Sequence, residues 1–218
     1  MNTMPEQIPI GNNIALGGDL RIPPQPRGVV LFAHGSGSSR HSPRNQFVAQ
    51  VLHKAGFATL LMDLLTAKEE EQDRYTAHLR FDINLLGERV AAATNWLLQN
   101  TATGNLKIGY FGASTGAAAA LVAAVEHPYA VGAIVSRGGR PDLAGTALSR
   151  VRAPTLLIVG GQDTQVIELN RTAFSQLQCE KSFEIVPGAT HLFEEPGALE
   201  QVAQLASQWF TRYLALPS

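Results

Sequence analysis

The sequence predicts an α/β domain on a mainly parallel sheet, and three observations carry that prediction. Short, almost continuous apolar runs bounded by turn residues recur along the chain, as expected of strands covered on both faces. Segments with apolar residues at helical spacing alternate with them. The length, 218 residues of which 45% are hydrophobic, suits one compact domain over 1–218 with a core large enough to need neither disulfides nor a structural metal.

Taken in order, Ile8 to Ile22 reads as two short extended pieces around Gly11-Asn12-Asn13, an antiparallel hairpin at one edge of the sheet, ended by Pro23, Pro24 and Pro26. Strands are predicted at Val29 to Ala33, Ala58 to Asp63, Leu106 to Phe111, Gly132 to Val135, Thr155 to Gly160 and Ser182 to Val186. Phe47, Val48, Val51 and Leu52 form one helical stripe, and Ile83, Leu86, Val90, Ala93 and Leu97 form another behind Asp82. Such stripes would lay helices on both faces of the sheet. The alanine run 117–120 fits close packing of a helix on the sheet. Ala67 to Asp73 is the one dense charge cluster, read as a solvated loop or the start of a helix.

Composition narrows the function. With a formal net charge of −1 and 16% charged residues, nothing attracts nucleic acid or an anionic membrane. Cys179, the one cysteine, has no internal partner, and Met1 to Gly11 lacks the basic start and apolar stretch of a secretory signal. No apolar segment reaches the roughly 20 residues that cross a bilayer. A soluble, cytoplasmic protein is expected.

The chemistry centres on Gly112-Ala113-Ser114-Thr115-Gly116, which fits G-x-S-x-G at the junction of a predicted strand and a predicted helix. A nucleophile on such a turn needs neighbours two positions away without side chains. The helix behind it would aim its N–H groups at a bound oxygen. A serine hydroxyl is a weak nucleophile without a base and an orienting acid. Asp163 follows the strand TLLIVG and His191 follows the strand SFEIV, so the order is Ser, Asp, His, each at the carboxyl end of a parallel strand. His41, His53, His78 and His127 read as exposed or capping residues, and Glu168 and Asp142 as alternative acids that do not directly follow a strand. The loop His34-Gly35-Ser36-Gly37-Ser38-Ser39 follows the strand VVLFA. There the N–H of Ser36, with the N–H of Thr115, would form an oxyanion hole.

On these residues the sequence resembles the α/β-hydrolase superfamily and, within it, the dienelactone hydrolase-like group. The likeness runs from His34-Gly35-Ser36 through the Ser114 motif to Asp163 and His191 and includes Phe81-Asp82. It implies the α/β-hydrolase fold and acyl transfer from an ester, lactone or thioester to water. Dienelactone hydrolases proper use a cysteine nucleophile and a glutamate in the first loop. Here Ser114 stands where that cysteine would be and Gly35 where the glutamate would be.

Only Ser136 to Ala153 separate two strands where many relatives insert a cap. One short helix near Pro141 to Arg150 fits there, so an open cleft without a large cap domain is expected, suited to small acyl compounds. Leu64 to Arg80 could wall it. Arg137 and Arg140, on a glycine-flexed loop, would bind a substrate carboxylate or phosphate, or else pair with Asp142 or other acids or face water. Arg74 and Arg80 are further candidates. No cofactor and no metal are expected, and the partner is a small-molecule acyl substrate, met by a monomer or homodimer. Acyl transfer to another acceptor, a small peptidase and a non-catalytic binding module are the alternatives.

Overall fold

The computed structural model describes residues 4–11 and 14–215. Its strands are β1 (Met4–Pro9), β2 (Ala15–Arg21), β3 (Val29–Ala33), β4 (Ala58–Met62), β5 (Ile108–Ala113), β6 (Val131–Arg137), β7 (Thr155–Gly160) and β8 (Lys181–Val186). They form one eight-stranded sheet in the order β1-β2-β4-β3-β5-β6-β7-β8. The β1–β2 and β2–β4 pairs are antiparallel, and every pair from β4 through β3 to β8 is parallel. The expected edge hairpin is thus present, although Asn12 and Asn13 of its turn lie outside the described residues. Every residue of β3, β4, β5 and β7 is buried, which is why these strands read as unbroken apolar runs.

The helices are α1 (Pro43–Lys54), α2 (Ala67–Thr76), α3 (Ile83–Gln99), α4 (Thr115–Glu126), α5 (Thr164–Gln176) and α6 (Ala198–Leu214). Helices α1 and α6 pack on one face of the sheet around Val30, Phe32, Phe111, Val135 and Phe210. On the other face α3 and α4 cover Leu31, Leu60, Tyr110 and Ile134. The alanine run lies buried in α4. Its small side chains let α3 approach closely, and Gly87 of α3 sits directly against Val122. Asp82 caps α3 by accepting the N–H of Leu85 at 3.1 Å, satisfying a donor that the helix itself leaves orphaned.

Two segments refine the sequence reading. The charge cluster is the start of a helix, one of its two expected forms: Thr66 and Glu69 close a capping box and start α2. Glu69 then grips the buried Arg89 of α3 through both carboxylate oxygens, while Arg89 also donates to the carbonyl of Leu64 at 2.5 Å. Burial of a charge is tolerable when it is paired and hydrogen-bonded in this way. The segment Pro141–Arg150 is helical as expected, but of 3-10 type and broken at Gly145, whose φ is +54°. It is the only element between β6 and β7. Among the described residues no helix is long and apolar enough to cross a membrane.

Candidate active site

Parallel pairing brings the carboxyl ends of β3, β5, β6, β7 and β8 to one edge: Ala33 lies opposite Gly112, Ala113 opposite Arg137, and Gly160 opposite Val186. The next residue after β5 is Ser114. Its backbone is held at φ +49° and ψ −124°, a conformation that costs an L-residue about 1–3 kcal/mol and persists only where the surroundings enforce it. The enforcement is visible. Ser114 N–H donates to the carbonyl of Arg137 at 3.3 Å, and its own carbonyl accepts from Arg140 at 3.0 Å and from Ala117 at 3.1 Å. A Cβ on Gly116 would overlap the carbonyl oxygens of Ala33 and His34, and one on Gly112 would overlap the backbone of Ala117. Only glycine permits so close an approach of strand and helix at these two positions.

Asp163 ends the tight turn after β7, where Gln162 donates to the carbonyl of Ala189 and so ties this turn to the one after β8. His191 lies in that second turn, closed by Phe193 at φ +56° with its ring sunk in the core. The result is a hydrogen bond from His191 Nδ1 to Asp163 Oδ2 at 2.6 Å, with the histidine side chain 40% exposed. A carboxylate accepting from Nδ1–H leaves Nε2 free to take a proton. Of the three candidate acids, Asp142 pairs with Arg140 and Glu168 with Arg171. The hydrogen bonds among the described residues join Asp163 to His191 but include none from Ser114 to His191. Gly138 bridges the space, since His191 and Phe193 line its vicinity and the preceding carbonyl binds Ser114.

Ser36 and Thr115 meet, but not as two free amides: the Ser36 N–H donates to Thr115 Oγ1 at 3.0 Å. Next to them opens a cleft of about 270 Å³. It is lined by Ser36, Thr115 and the loop 34–38, by the apolar Leu64, Leu65 and Leu86, and by the charged Glu70, Asp73, Arg74 and Arg80. Ser114 stands beside this lining rather than in it.

The arginines divide among the readings the sequence offered. Arg137 is not on a loop; it is the last residue of β6, pairs with Ile158 and is 8% exposed. Its side chain belongs to the α1 face, within 3.4 Å of Asn45 Oδ1, and burial, with Arg44 nearby, pulls the guanidinium down to about 10. Arg140 fills its fork with Asp142 at 2.9 and 2.8 Å. The cleft arginines are instead Arg74 and Arg80. Arg80 is held by Asp73, which is 1% exposed. Asp73 accepts from Leu79 N–H at 2.6 Å, Arg80 N–H at 3.2 Å and Arg80 Nε at 2.6 Å. Burial pushes the Asp73 carboxyl up, but the Arg80 guanidinium and these amides bring it below its usual range. Arg80 Nη1 is left toward Gly37.

Sequence reasoning passed over Asp73 and His34. His34 Nδ1 donates to the carbonyl of Gly35 at 2.8 Å, and its Nε2 accepts the N–H of Leu64 at 3.0 Å, so the ring clasps the loops after β3 and β4 together. The pattern Thr66-x-x-Glu69 is a local signal for the start of the helix that carries Asp73 in its last turn; nothing local signals the burial of His34.

The dienelactone hydrolase family model matches residues 16–215. The chain belongs to the dienelactone hydrolase family. A solved dienelactone hydrolase from Anabaena variabilis is 60% identical, covers 98% of each chain and superposes with a TM-score of 0.95. Est1E from Butyrivibrio proteoclasticus, 17% identical over 97% of this chain and 98% of its own, shares the fold with a TM-score of 0.79. Two Mycobacterium tuberculosis proteins, each named "Putative phosphoribosyl transferase", are 57% identical over 208 residues. Those residues are 95% of this chain but 46% of the relatives, so the chain spans about half the length of the curated relatives it matches.

Burial holds His34 below its ordinary value, with Asp63 and Glu70 opposing part of that shift. The neutral ring therefore stabilises the fold fully above the unfolded value, about pH 6.5. That contribution is lost as pH falls through the lower folded value, because the unfolded chain then binds the extra proton. Thermal unfolding from pH 7.5 to 5 should show a declining melting temperature, and His34→Gln, which keeps an acceptor but does not titrate, should flatten the decline. An equal acid slope in the variant would remove His34 from the account.

Proposed function

We propose that the protein is a serine hydrolase of small carboxylic esters, lactones or thioesters. The observation carrying this reading is the 2.6 Å His191–Asp163 bond at the same sheet edge as a serine held in a strained strand-to-helix turn. Ser114 Oγ attacks the carbonyl carbon while its proton passes to His191 Nε2, and the carbonyl π pair moves onto oxygen. Asp163 keeps the imidazole in the required tautomer and balances the imidazolium. Collapse of the tetrahedral intermediate breaks the bond to the leaving alkoxide or thiolate, which takes the proton from His191 and becomes the alcohol or thiol. Water then attacks the acyl-enzyme, giving its proton to the same nitrogen, and the acid leaves as Ser114 recovers its hydrogen. Helix α4 directs its N-terminal N–H groups at the developing charge.

The size and lining of the cleft favour a short acyl compound with one anionic group. Leu64, Leu65 and Leu86 would take a small apolar portion, and Arg80, oriented by Asp73, would meet a carboxylate or phosphate with Arg74 beside it. We assign the phosphoribosyl transferase activity named for the curated relatives to the part of those proteins that this chain does not match. Turnover by water rather than by another acceptor is supported by the family.

Ser114→Ala removes one oxygen and should abolish labelling by a fluorophosphonate without lowering the melting temperature. Labelling that persists in the variant would overturn the assignment of the nucleophile. Arg80→Gln should raise KM about tenfold for an ester carrying a carboxylate, the worth of one charge-assisted hydrogen bond, and leave KM for a neutral ester nearly unchanged. Equal losses on both esters would return Arg80 to a structural role.

A further inference from the structure

The bond between Ser36 and Thr115 changes what each can contribute to an oxyanion hole. Thr115 Oγ1 accepts the Ser36 N–H, so that amide is engaged. A hydroxyl that accepts one hydrogen bond still has its own proton to donate, and among the described residues no acceptor takes it. In the body of a helix a threonine hydroxyl commonly turns back to a carbonyl one turn earlier. Thr115 is the first residue of α4, so no helical carbonyl lies behind it. The side chain is nonetheless 3% exposed and lines the cleft. It is also fixed beside the reacting atom: the turn bearing Ser36 presses against Ser114, since a Cβ on Gly35 would stand 2.9 Å from Ser114 Cβ.

We propose that Thr115 donates twice to the oxyanion, through its main-chain N–H and through its hydroxyl, and that the Ser36 amide acts through Thr115 rather than on the oxyanion. Ser36 thereby serves as a positioning residue. Its N–H occupies one lone pair of Oγ1, fixes the direction of the O–H and polarises it, as happens along a chain of hydrogen bonds. The hydroxyl is then oriented before reaction and needs little rearrangement when charge develops. The role deepens the serine-hydrolase reading and rests on it.

The test uses the whole protein with 4-nitrophenyl acetate as substrate and an alkyl boronic acid as a tetrahedral-adduct probe. Thr115→Val keeps the shape and removes only the hydroxyl. It should lower kcat by about 100-fold, the effect of losing one oxyanion donor, with KM and the melting temperature close to those of the wild type. Boronate affinity should fall alongside kcat, because the adduct presents the same tetrahedral oxygen. Thr115→Ser, which restores the hydroxyl, should recover most of the activity. If Thr115→Val does not fold, Thr115→Ala, which admits water to the Ser36 amide, carries the same expectation. A kcat retained within about threefold in the hydroxyl-free variant, well short of one donor's worth, would overturn the proposal. So would a loss that follows the melting temperature and is not rescued by serine. Ser114→Ala separates the two readings: if it still hydrolyses the ester or binds the boronate covalently, the nucleophile assignment fails, whatever Thr115 does.

Discussion

Everything at this site depends on one strained residue, Ser114 at φ +49°. A serine at the mouth of a parallel sheet, between strand and helix, requires the chain to reverse from one to the other within a single residue. That reversal brings α4 against the ends of β3 and β5, where there is no room for side chains at Gly112 and Gly116. The backbone strain, about 1–3 kcal/mol, is offset by the surroundings: hydrogen bonds from both sides of the β6 exit loop and the burial of α4 under α3. The same reversal puts Thr115 at the first position of the helix, so the proposed nucleophile and the proposed oxyanion donors come from consecutive residues.

Around that point, the neighbouring loops are bound to one another more than to solvent. His34 joins the exits of β3 and β4, and Gln162 joins the exits of β7 and β8. Charge shapes part of the cleft lining. Glu69 and Asp73, one turn apart on α2, each hold an arginine, Arg89 and Arg80. Such pairs contribute little net stability over well-packed apolar side chains, but leaving either partner unpaired is costly, so they fix geometry. Here they fix the position of α2 relative to α3 and the direction of Arg80. This lining is therefore more than a solvated charge run, and it gives the cleft a cation next to an apolar surface.

Much of this was legible in the sequence, for identifiable reasons. The buried strands announced themselves because both faces are covered. Asp82 and the stripe behind it marked α3, and Pro141 to Arg150 was bounded by its proline and the strand at Thr155. Ser114, Asp163 and His191 stood out because each follows a strand, and strand ends are where a parallel sheet gathers its loops. The arginines were harder. Arg137 looked like a loop residue because glycines follow it, yet β6 continues through it and its side chain turns inward. Arg80 was already a candidate for the cleft, but Asp73 looked like an ordinary surface charge, because its burial depends on how the chain turns back through the 3-10 turn Leu79–Phe81, which periodicity does not encode. The Ser36–Thr115 bond likewise joins residues 79 positions apart and leaves no trace in local pattern.

The central claim is that Ser114 carries the acyl group during turnover. Its most direct measurement is the mass of the protein quenched during steady-state hydrolysis of 4-nitrophenyl acetate, followed by peptide mapping. The account predicts a single added acetyl group on the peptide containing Ser114, formed at least as fast as product accumulates and absent once substrate is exhausted. Turnover with Ser114 unmodified throughout, or with the acetyl group on another residue at a competent rate, would contradict it.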